Sequence, residues 1–270
     1  MPYDNIRYEI DDRVAQITLA RPDHRNAQSR RLIEELDDAF HSAAEDTDVG
    51  AIILRGEGDH FSAGHDLGSP QQKADLEARP YEEGLRGFYK RTWDLNVDVC
   101  LRWRELPKPT IAAVQGYCIF GGWIIASSMD IIFAADDARF LPTNFQYFSV
   151  PWDLGVRKTK EILFESRFLG PDEAHELGFV NRVVPRAELD DEALAYAKRV
   201  AQNDPFQLRM IKLAVNQMQD GQGFTPHIRG AHALYTLSSR GEEDPGYSLK
   251  TPEGKRRPMV QRALENSDFS

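Results

Sequence analysis

Cysteine is scarce in this sequence: Cys100 and Cys118 are the only two among 270 residues. Two cysteines cannot build a disulfide framework, and neither lies in a Cys-x-x-Cys pair of the kind that binds zinc or performs redox chemistry. We therefore expect two buried thiols that pack as small apolar side chains, no metal site and a reducing compartment.

Neither the opening residues nor the apolar runs of this sequence predict a signal peptide or a membrane span. The opening residues, MPYDNIRYEIDDR, carry acidic side chains where a signal peptide needs apolar ones. The longest apolar stretch, residues 119–135, contains glycines, serines and Asp130, so it is too polar to span a membrane. We expect a cytoplasmic protein with no membrane partner.

Positive charge is in the minority, with 33 Lys and Arg against 43 Asp and Glu and a net charge of −10. This balance disfavours a nucleic-acid partner, and the GxGxxG and GxxxxGK fingerprints of nucleotide sites are absent. An anionic substrate would need a local basic patch. The tail residues Lys255, Arg256 and Arg257 either form such a patch or are a solvated basic face.

The sequence pattern predicts two strand–helix–strand units. The first combines the alternating run VAQITLA, a helix that begins after Ser29, and the buried run VGAIILRGEG. The second combines TIAAVQG, WIIASSMD and IIFAADDARF. The apolar residues of the first helix recur at helical spacing and are Leu32, Ile33, Leu36, Ala39, Phe40 and Ala43. Such units form parallel sheets with crossover helices, so we predict an α/β fold.

The later part of the chain has a helical pattern. Residues 188–220 predict two helices with a break near Asp204-Pro205, and Pro80 predicts an earlier helix start within a polar segment. We predict a sheet-based core over residues 1–165 and a C-terminal helical region over residues 166–270.

Two glycine-containing turns follow predicted buried strands, at SAGHD (62–66) and FGGW (120–123). In parallel α/β folds, backbone N–H groups at the ends of strands point outward and bind ligands. Two N–H groups that converge on one oxygen form an oxyanion hole. The alternative is that these glycines only permit tight turns.

Several segments together resemble the crotonase (enoyl-CoA hydratase/isomerase) superfamily. They are RPDHRNAQS, FSAGHDL, AAVQGYCIFGGWIIASSMDIIFAADDARF and LGPDEAHELGFVNRVVP, and they follow the family order over about residues 5–215. The resemblance implies a crotonase-like (ClpP/crotonase) spiral core of stacked ββα units with a C-terminal helical trimerisation region. It also implies an acyl-CoA substrate, no tightly bound cofactor beyond that coenzyme A, and a homotrimer or a hexamer made of two trimers.

The same resemblance assigns roles to particular residues. The oxyanion donors would be the backbone N–H groups of His65 and Gly121. The adenine pocket would include Ala63, His65 and Leu67, and the pantetheine and phosphate region would include His24, Arg25 and Asn26. Backbone donors suit this chemistry because a thioester oxygen gains negative charge when the adjacent carbon reacts.

The sequence departs from the hydratase pattern at both glutamates that activate water. Those positions hold Ile124 and Asn144, and neither side chain can act as an acid or base near neutral pH. Because each such acid or base group raises a reaction rate by about 10²–10⁴-fold, we expect hydration of ordinary enoyl-CoA substrates to be very slow. Among nearby polar residues, Asn144 is the first candidate to orient a substrate, ahead of Tyr147.

Asp153, in VPWDLG, resembles a carboxylate that other family members place near this turn, if one residue is inserted upstream. The Asp153 side chain is interpreted either as a catalytic carboxylate or as a helix cap or turn former. If it is catalytic, Trp152 and Leu154 would desolvate it and raise its pKa towards neutrality.

Two functions remain open from the sequence. The first is an enzyme of the enoyl-CoA hydratase/isomerase family with non-standard acid and base residues: an isomerase, a hydratase of unusual substrates, or a C–C hydrolase or lyase. Bulky Phe120, Trp123 and Trp152 would then favour a flat or cyclic acyl group, and a C–C hydrolase or lyase would act on a cyclic or oxo-acyl-CoA. The second is a catalytically silent paralogue that binds acyl-CoA.

Overall fold

The computed structural model describes residues 3–142, 145–239 and 258–267. Its strands are β1 (Ile6–Asp11), β2 (Val14–Leu19), β3 (Ala51–Gly56), β4 (Thr110–Val114), β5 (Tyr117–Ile119), β6 (Ile131–Ala135), β7 (Arg139–Leu141) and β8 (Arg182–Val184). Its helices are α1 (Arg30–Glu45), α2 (Pro70–Ala78), α3 (Gly84–Trp93), α4 (Val99–Arg104), α5 (Gly121–Ser127), α6 (Val150–Leu154), α7 (Val156–Glu165), α8 (Pro171–Glu176), α9 (Leu189–Ala201), α10 (Pro205–Gly221), α11 (Phe224–Ser238) and α12 (Pro258–Glu265). The basic tail cluster Lys255, Arg256 and Arg257 lies outside the described residues.

Six strands form one sheet in the order β1-β2-β3-β4-β6-β8. The β1–β2 pair is antiparallel, and every later neighbouring pair in this sheet is parallel. Strands β5 and β7 form a second, two-stranded parallel sheet. The predicted α/β fold with a mostly parallel sheet is confirmed.

The central strand β4 shows that helices cover the sheet on both faces. Ala112 and Val114 join the apolar cluster that contains α1 and α5, while Ile111 and Ala113 join the cluster that contains α9. A parallel strand covered on both sides needs an apolar residue at every position. This requirement explains why the strand continues after Thr110 as the unbroken apolar run IAAV rather than as an alternating pattern.

The first predicted helix is confirmed as α1. Ser29 is its N-cap residue, and the Ser29 hydroxyl accepts a hydrogen bond from the Leu32 N–H at 3.1 Å. All six apolar residues that the spacing assigned to the core are buried. The helix therefore fixes the end of the loop at residues 21–29 against the sheet.

The chain beyond residue 165 contributes to the sheet as well as to the helical region. Strand β8 pairs with β6, and α9 packs on the face of the sheet opposite α1. Helices α9 and α10 are separated where predicted, and the Asp204 carboxylate caps α10 by accepting from the Phe206 N–H at 2.9 Å. The division at residue 165 and the trimerisation role stay predictions.

The predicted helix start at Pro80 is wrong. One helix, α2, begins at Pro70, and the next, α3, begins at Gly84. Ser69 precedes Pro70 and caps α2 by accepting from the Gln72 N–H at 3.2 Å, whereas Arg79, which precedes Pro80, has no comparable short polar side chain. Pro80 therefore lies in the segment between α2 and α3 and begins neither helix.

Both cysteines are buried and are not bonded to each other, as predicted. Burial raises the pKa of each thiol above its ordinary value, so both side chains stay neutral. Among the described residues, no helix combines the length and apolar character that a membrane span requires. In the same part of the chain no cluster of three potential metal ligands occurs.

Candidate active site

The loop before α1 lies alongside the first glycine turn. The Ala63 N–H donates to the Arg25 carbonyl at 2.9 Å, and the Gln28 N–H donates to the Gly64 carbonyl at 2.8 Å. The Asp66 N–H then donates to the Gln28 carbonyl at 2.9 Å. This short parallel ladder brings the loop predicted for pantetheine and phosphate beside the turn predicted for adenine and the oxyanion.

The second glycine turn packs directly on the first. The Ile119 N–H donates to the Ser62 carbonyl at 3.0 Å, which joins the ends of β5 and the first turn. Gly64 has a φ of +90°, and a Cβ on it would lie 2.7 Å from the Ile119 oxygen and 3.3 Å from the Gly121 nitrogen. Glycine is therefore required at position 64 by both the backbone conformation and the lack of space.

Gly121 is the first residue of α5, so its N–H has no acceptor one turn back within the helix. A Cβ on Gly121 would lie 2.4 Å from Gln28 Oε1 and 3.0 Å from His65 Cε1. The preceding residue, Phe120, has a φ of +46°, a costly conformation for a bulky side chain. The structure thus brings His65 and Gly121 together, next to a backbone held in a strained turn.

Gln146 fixes the His65 imidazole, and no sequence pattern predicted this role. His65 Nε2 lies 2.6 Å from Gln146 Oε1, so this nitrogen carries the proton that Gln146 accepts. The Gln146 amide in turn donates to the Tyr235 hydroxyl of α11 at 3.1 Å. One sequence feature could have pointed to Gln146, which is the polar residue in the otherwise aromatic run FQYF. A buried polar side chain in such a run needs a hydrogen-bond partner.

Asn26 holds its loop and does not present its side chain to a ligand. It is fully buried, and its Oδ1 accepts from the Arg21 N–H at 2.9 Å. Its Nδ2 donates to the carbonyls of Glu57 at 3.0 Å and His60 at 2.8 Å. Since both amide hydrogens and the oxygen are engaged, any contact of Asn26 with a substrate would come from its backbone.

The other residues assigned to coenzyme A are accessible to different degrees. His24 and Arg25 are exposed, and Ala63 and His65 are half-buried. Leu67 is 63% exposed, which leaves an apolar side chain on the surface beside the first turn. These residues therefore form a continuous rim along the two paired segments.

The Asp66 side chain holds the first glycine turn in place through hydrogen bonds and an ion pair. Its carboxylate accepts the N–H groups of Gly68 at 3.0 Å and Ser69 at 2.8 Å, and it pairs with Arg21 at 2.8 Å. Burial alone raises the pKa of Asp66, but the hydrogen bonds from Ser69, Gly68 and Arg21 outweigh it and lower the pKa below its ordinary value.

Ile124 and Asn144 occupy the two positions at which the resemblance places the glutamates of a hydratase. Ile124 lies on α5, is 1% exposed and packs in the main apolar cluster. It can neither transfer a proton nor bind water. Asn144 lies outside the described residues.

Asp153 is not a helix cap. It lies within α6, whose N-cap residue is Ser149, while α7 begins after Gly155, and neither helix has a side-chain cap. The Ser149 hydroxyl donates to Asp153 Oδ2 at 2.7 Å, and its oxygen lies 2.9 Å from the Ser127 hydroxyl oxygen. This network ties the carboxyl group of α6 to the last turn of α5.

Burial raises the pKa of Asp153 from 3.8 to about 7, although the hydrogen bond from Ser149 and the nearby Trp123 indole oppose this rise. The indole N–H of Trp123 is close enough to the carboxyl to lower its pKa, yet it has no hydrogen-bond partner among the described residues. The residue keeps some exposed surface, while its carboxyl group is enclosed by protein. A carboxyl of this kind changes its protonation state near neutral pH.

Asp153 faces a cavity of about 540 Å³ at the carboxyl end of α5, not the turn at its amino end. Ser127 and Ser149 line the same cavity. Gly121 begins α5 and Ser127 ends it, so the helix separates the two regions by about 9 Å at 1.5 Å per residue. The predicted site residues therefore fall into two groups at opposite ends of one short helix.

Comparison with known proteins agrees with this architecture. The enoyl-CoA hydratase/isomerase family profile matches residues 9–234. The crystal structure of a probable enoyl-CoA hydratase from Mycobacterium smegmatis is 43% identical, with a TM-score of 0.79 over 86% of this chain and 93% of that one. An enoyl-CoA hydratase/isomerase from Xanthobacter autotrophicus Py2 is 34% identical, with a TM-score of 0.81 over 90% of each chain. The curated relative EchA13 of Mycobacterium tuberculosis is 37% identical over 257 residues, which are 87% of this chain and 81% of the relative.

A mostly parallel sheet covered by helices, with two packed glycine turns beside a loop, is the architecture of the crotonase fold. The chain belongs to the enoyl-CoA hydratase/isomerase family. The resemblance that the sequence motifs suggested is confirmed.

Proposed function

We propose that this protein is an acyl-CoA-thioester enzyme in which the backbone N–H groups of His65 and Gly121 stabilise the oxygen of a thioester enolate. The observation that carries the proposal is the close packing of the two turns, in which neither Gly64 nor Gly121 has room for a Cβ. Nearby, Phe120 keeps a strained conformation. Strain of this kind persists where the surrounding structure holds it and is concentrated at functional sites.

The paired segments supply a surface for the coenzyme A part of the substrate. His24 and Arg25 offer polar and cationic groups for phosphates, while Ala63, His65 and Leu67 offer backbone and apolar contacts for adenine. A local cation is needed because the net charge of the chain is −10 and repels an anionic ligand at long range.

Asp153 is the proposed acid or base. Its pKa of about 7 suits proton transfer near neutral pH, and Ile124 removes the usual acidic group from α5. The reactions open to such a site are isomerisation, hydration of an unusual substrate, and cleavage of a C–C bond of a cyclic or oxo-acyl-CoA by a hydrolase or lyase. The second candidate, a silent paralogue that binds acyl-CoA, is favoured by one observation, the buried isoleucine at position 124.

The proposed assembly is a homotrimer or a hexamer of the chain. Leu234 and Leu237 lie three residues apart on α11 and are 57% and 70% exposed. Apolar side chains on one helix face are typical of a surface that a second copy covers. Sedimentation of the purified chain tests the assembly, and a monomer at micromolar concentration would exclude it.

The test of function is mass spectrometry of the purified protein incubated with crotonyl-CoA, cyclic enoyl-CoAs and oxo-acyl-CoAs. Asp153→Asn is assayed in parallel with Asp48→Asn, a change of the same chemistry on the surface. Turnover of a cyclic or oxo substrate that is lost only in Asp153→Asn supports the proposal. Rapid hydration of crotonyl-CoA by both variants contradicts it, and binding without turnover of any substrate supports the silent paralogue.

A further inference from the structure

The cavity beside Asp153 is built from the carboxyl end of α5, the start of β6, and helices α6, α9, α10 and α11. Much of its wall is apolar, with Ile132, Phe179 and Phe224 among the side chains that line it. Its volume of about 540 Å³ lies within the range of small-molecule sites, which are mostly apolar with a few polar groups.

The charged groups of its wall are paired within the protein. Lys212 Nζ lies 2.7 Å from Asp130 Oδ2. Arg104 is held by Glu105, by Asp220 at 3.3 Å and by the Asn216 carbonyl at 3.0 Å. Because these charges are already neutralised, the wall favours an uncharged ligand over an ionic one.

Tyr147 supplies the polar group that lacks a partner. Its side chain lines the cavity and is 0% exposed, yet its hydroxyl makes no hydrogen bond among the described residues. Buried hydroxyl groups are almost always bonded, so an unpartnered one in a cavity wall indicates a group that a ligand supplies. Ser149 and Asp153 follow two and six residues later and line the same cavity, so its wall carries three side chains that can form hydrogen bonds.

Helix α5 runs from the turn of Gly121 to the cavity, which its last residue lines. Ser127, at the end of that helix, approaches Ser149 at 2.9 Å, and Trp123, two residues after Gly121, lies near the Asp153 carboxyl. A group anchored at the amino end of α5 needs to extend about 9 Å along the helix to reach this wall.

We infer that the cavity receives the far end of the acyl group, and that this end is an uncharged, mainly apolar group bearing a ketone or hydroxyl oxygen bound by Tyr147. The inference rests on the proposed function and narrows its substrate class. Tyr147 is then a residue that determines specificity: its hydroxyl donates a hydrogen bond to the substrate oxygen, and the apolar wall accommodates the carbon skeleton.

The test compares octanoyl-CoA with an eight-carbon acyl-CoA that carries a ketone near its far end, by isothermal titration calorimetry on the full chain. Tyr147→Phe should weaken binding of the keto ligand by about tenfold, the effect of losing one hydrogen bond, and leave octanoyl-CoA binding unchanged. Its melting temperature should not fall, since the change removes a hydroxyl without a partner. Tyr3→Phe, which removes a surface hydroxyl bonded to Asp38, is the matched control and should not affect either ligand.

The outcomes separate this inference from the proposed function. If both eight-carbon ligands bind the wild type equally and Tyr147→Phe alters neither, the inference is overturned while acyl-CoA binding stands. The inference is also overturned if the free keto acid, without coenzyme A, binds as tightly as its thioester, because the cavity would then be a separate site. If neither thioester nor crotonyl-CoA binds, the proposed function itself fails.

Discussion

Protein stability should depend on pH through Asp153 in the direction opposite to that of most carboxylates. Burial raises its pKa from 3.8 to about 7, so the folded protein keeps the proton over a pH range in which the unfolded chain has lost it. The stabilisation is therefore complete below about pH 4 and is lost as the pH rises through about 7. Asp153→Asn cannot ionise and should not show this loss.

The expected magnitude follows from the size of the shift. At 1.36 kcal/mol per pKa unit, the wild type should lose roughly 4 kcal/mol relative to Asp153→Asn across the whole range. About 2 kcal/mol of that loss falls between pH 5.5 and 7.0, where urea unfolding is followed by tryptophan fluorescence. Asp48→Asn, on the surface, should run parallel to the wild type. Parallel curves for Asp153→Asn and the wild type would refute the argument that this carboxyl is buried and neutral.

Three further substitutions test the site. Gly121→Ala places a Cβ 2.4 Å from Gln28 Oε1 and should lower kcat by about 10²–10³-fold while coenzyme A binding, measured by calorimetry, is retained. Gln146→Ala releases the His65 imidazole and should lower kcat about tenfold with little change in KM, so a change in KM alone would exclude its positioning role. Asn26→Ala leaves the Arg21 N–H and the Glu57 and His60 carbonyls without this partner and should cost about 2–4 kcal/mol of unfolding free energy in urea. Asn26→Asp should cost at least as much, because it places a buried carboxylate oxygen against those two carbonyls, so a smaller loss would contradict the assigned hydrogen bonds.

Local patterns in the sequence were sufficient for α1 and for the two glycine turns, although not for the helix start expected at Pro80. The apolar spacing of α1 and its Ser29 cap depend on residues three and four apart, and the structure matches both. The turn at Gly64 could also be predicted from the sequence, because glycine has no Cβ and adopts a positive φ without strain. Such features are determined by short-range sterics and hydrogen bonding, which the sequence displays directly.

The contacts that complete the site are not local and had no such signal. His65 and Gln146 are 81 residues apart, and Gln146 and Tyr235 are 89 residues apart, so only the assembled sheet and α11 bring them together. Asn26 illustrates a different limit. A resemblance assigns a position to the coenzyme A loop, but it does not distinguish a side chain that contacts ligand from one that holds the loop.

The position of the ionisable group along α5 bears on which substrate atoms can react. A glutamate at position 124 would lie one turn after the proposed oxyanion donor of Gly121, close to the α- and β-carbons of a thioester. Here that position is an isoleucine with 1% exposure, where a carboxylate would lose its hydration without gaining a partner. The buried carboxyl lies instead on α6, tied through Ser149 to the last residue of α5. In the proposed function, proton transfer at Asp153 would therefore favour atoms farther along the acyl group, which crotonyl-CoA, with four acyl carbons, is too short to offer.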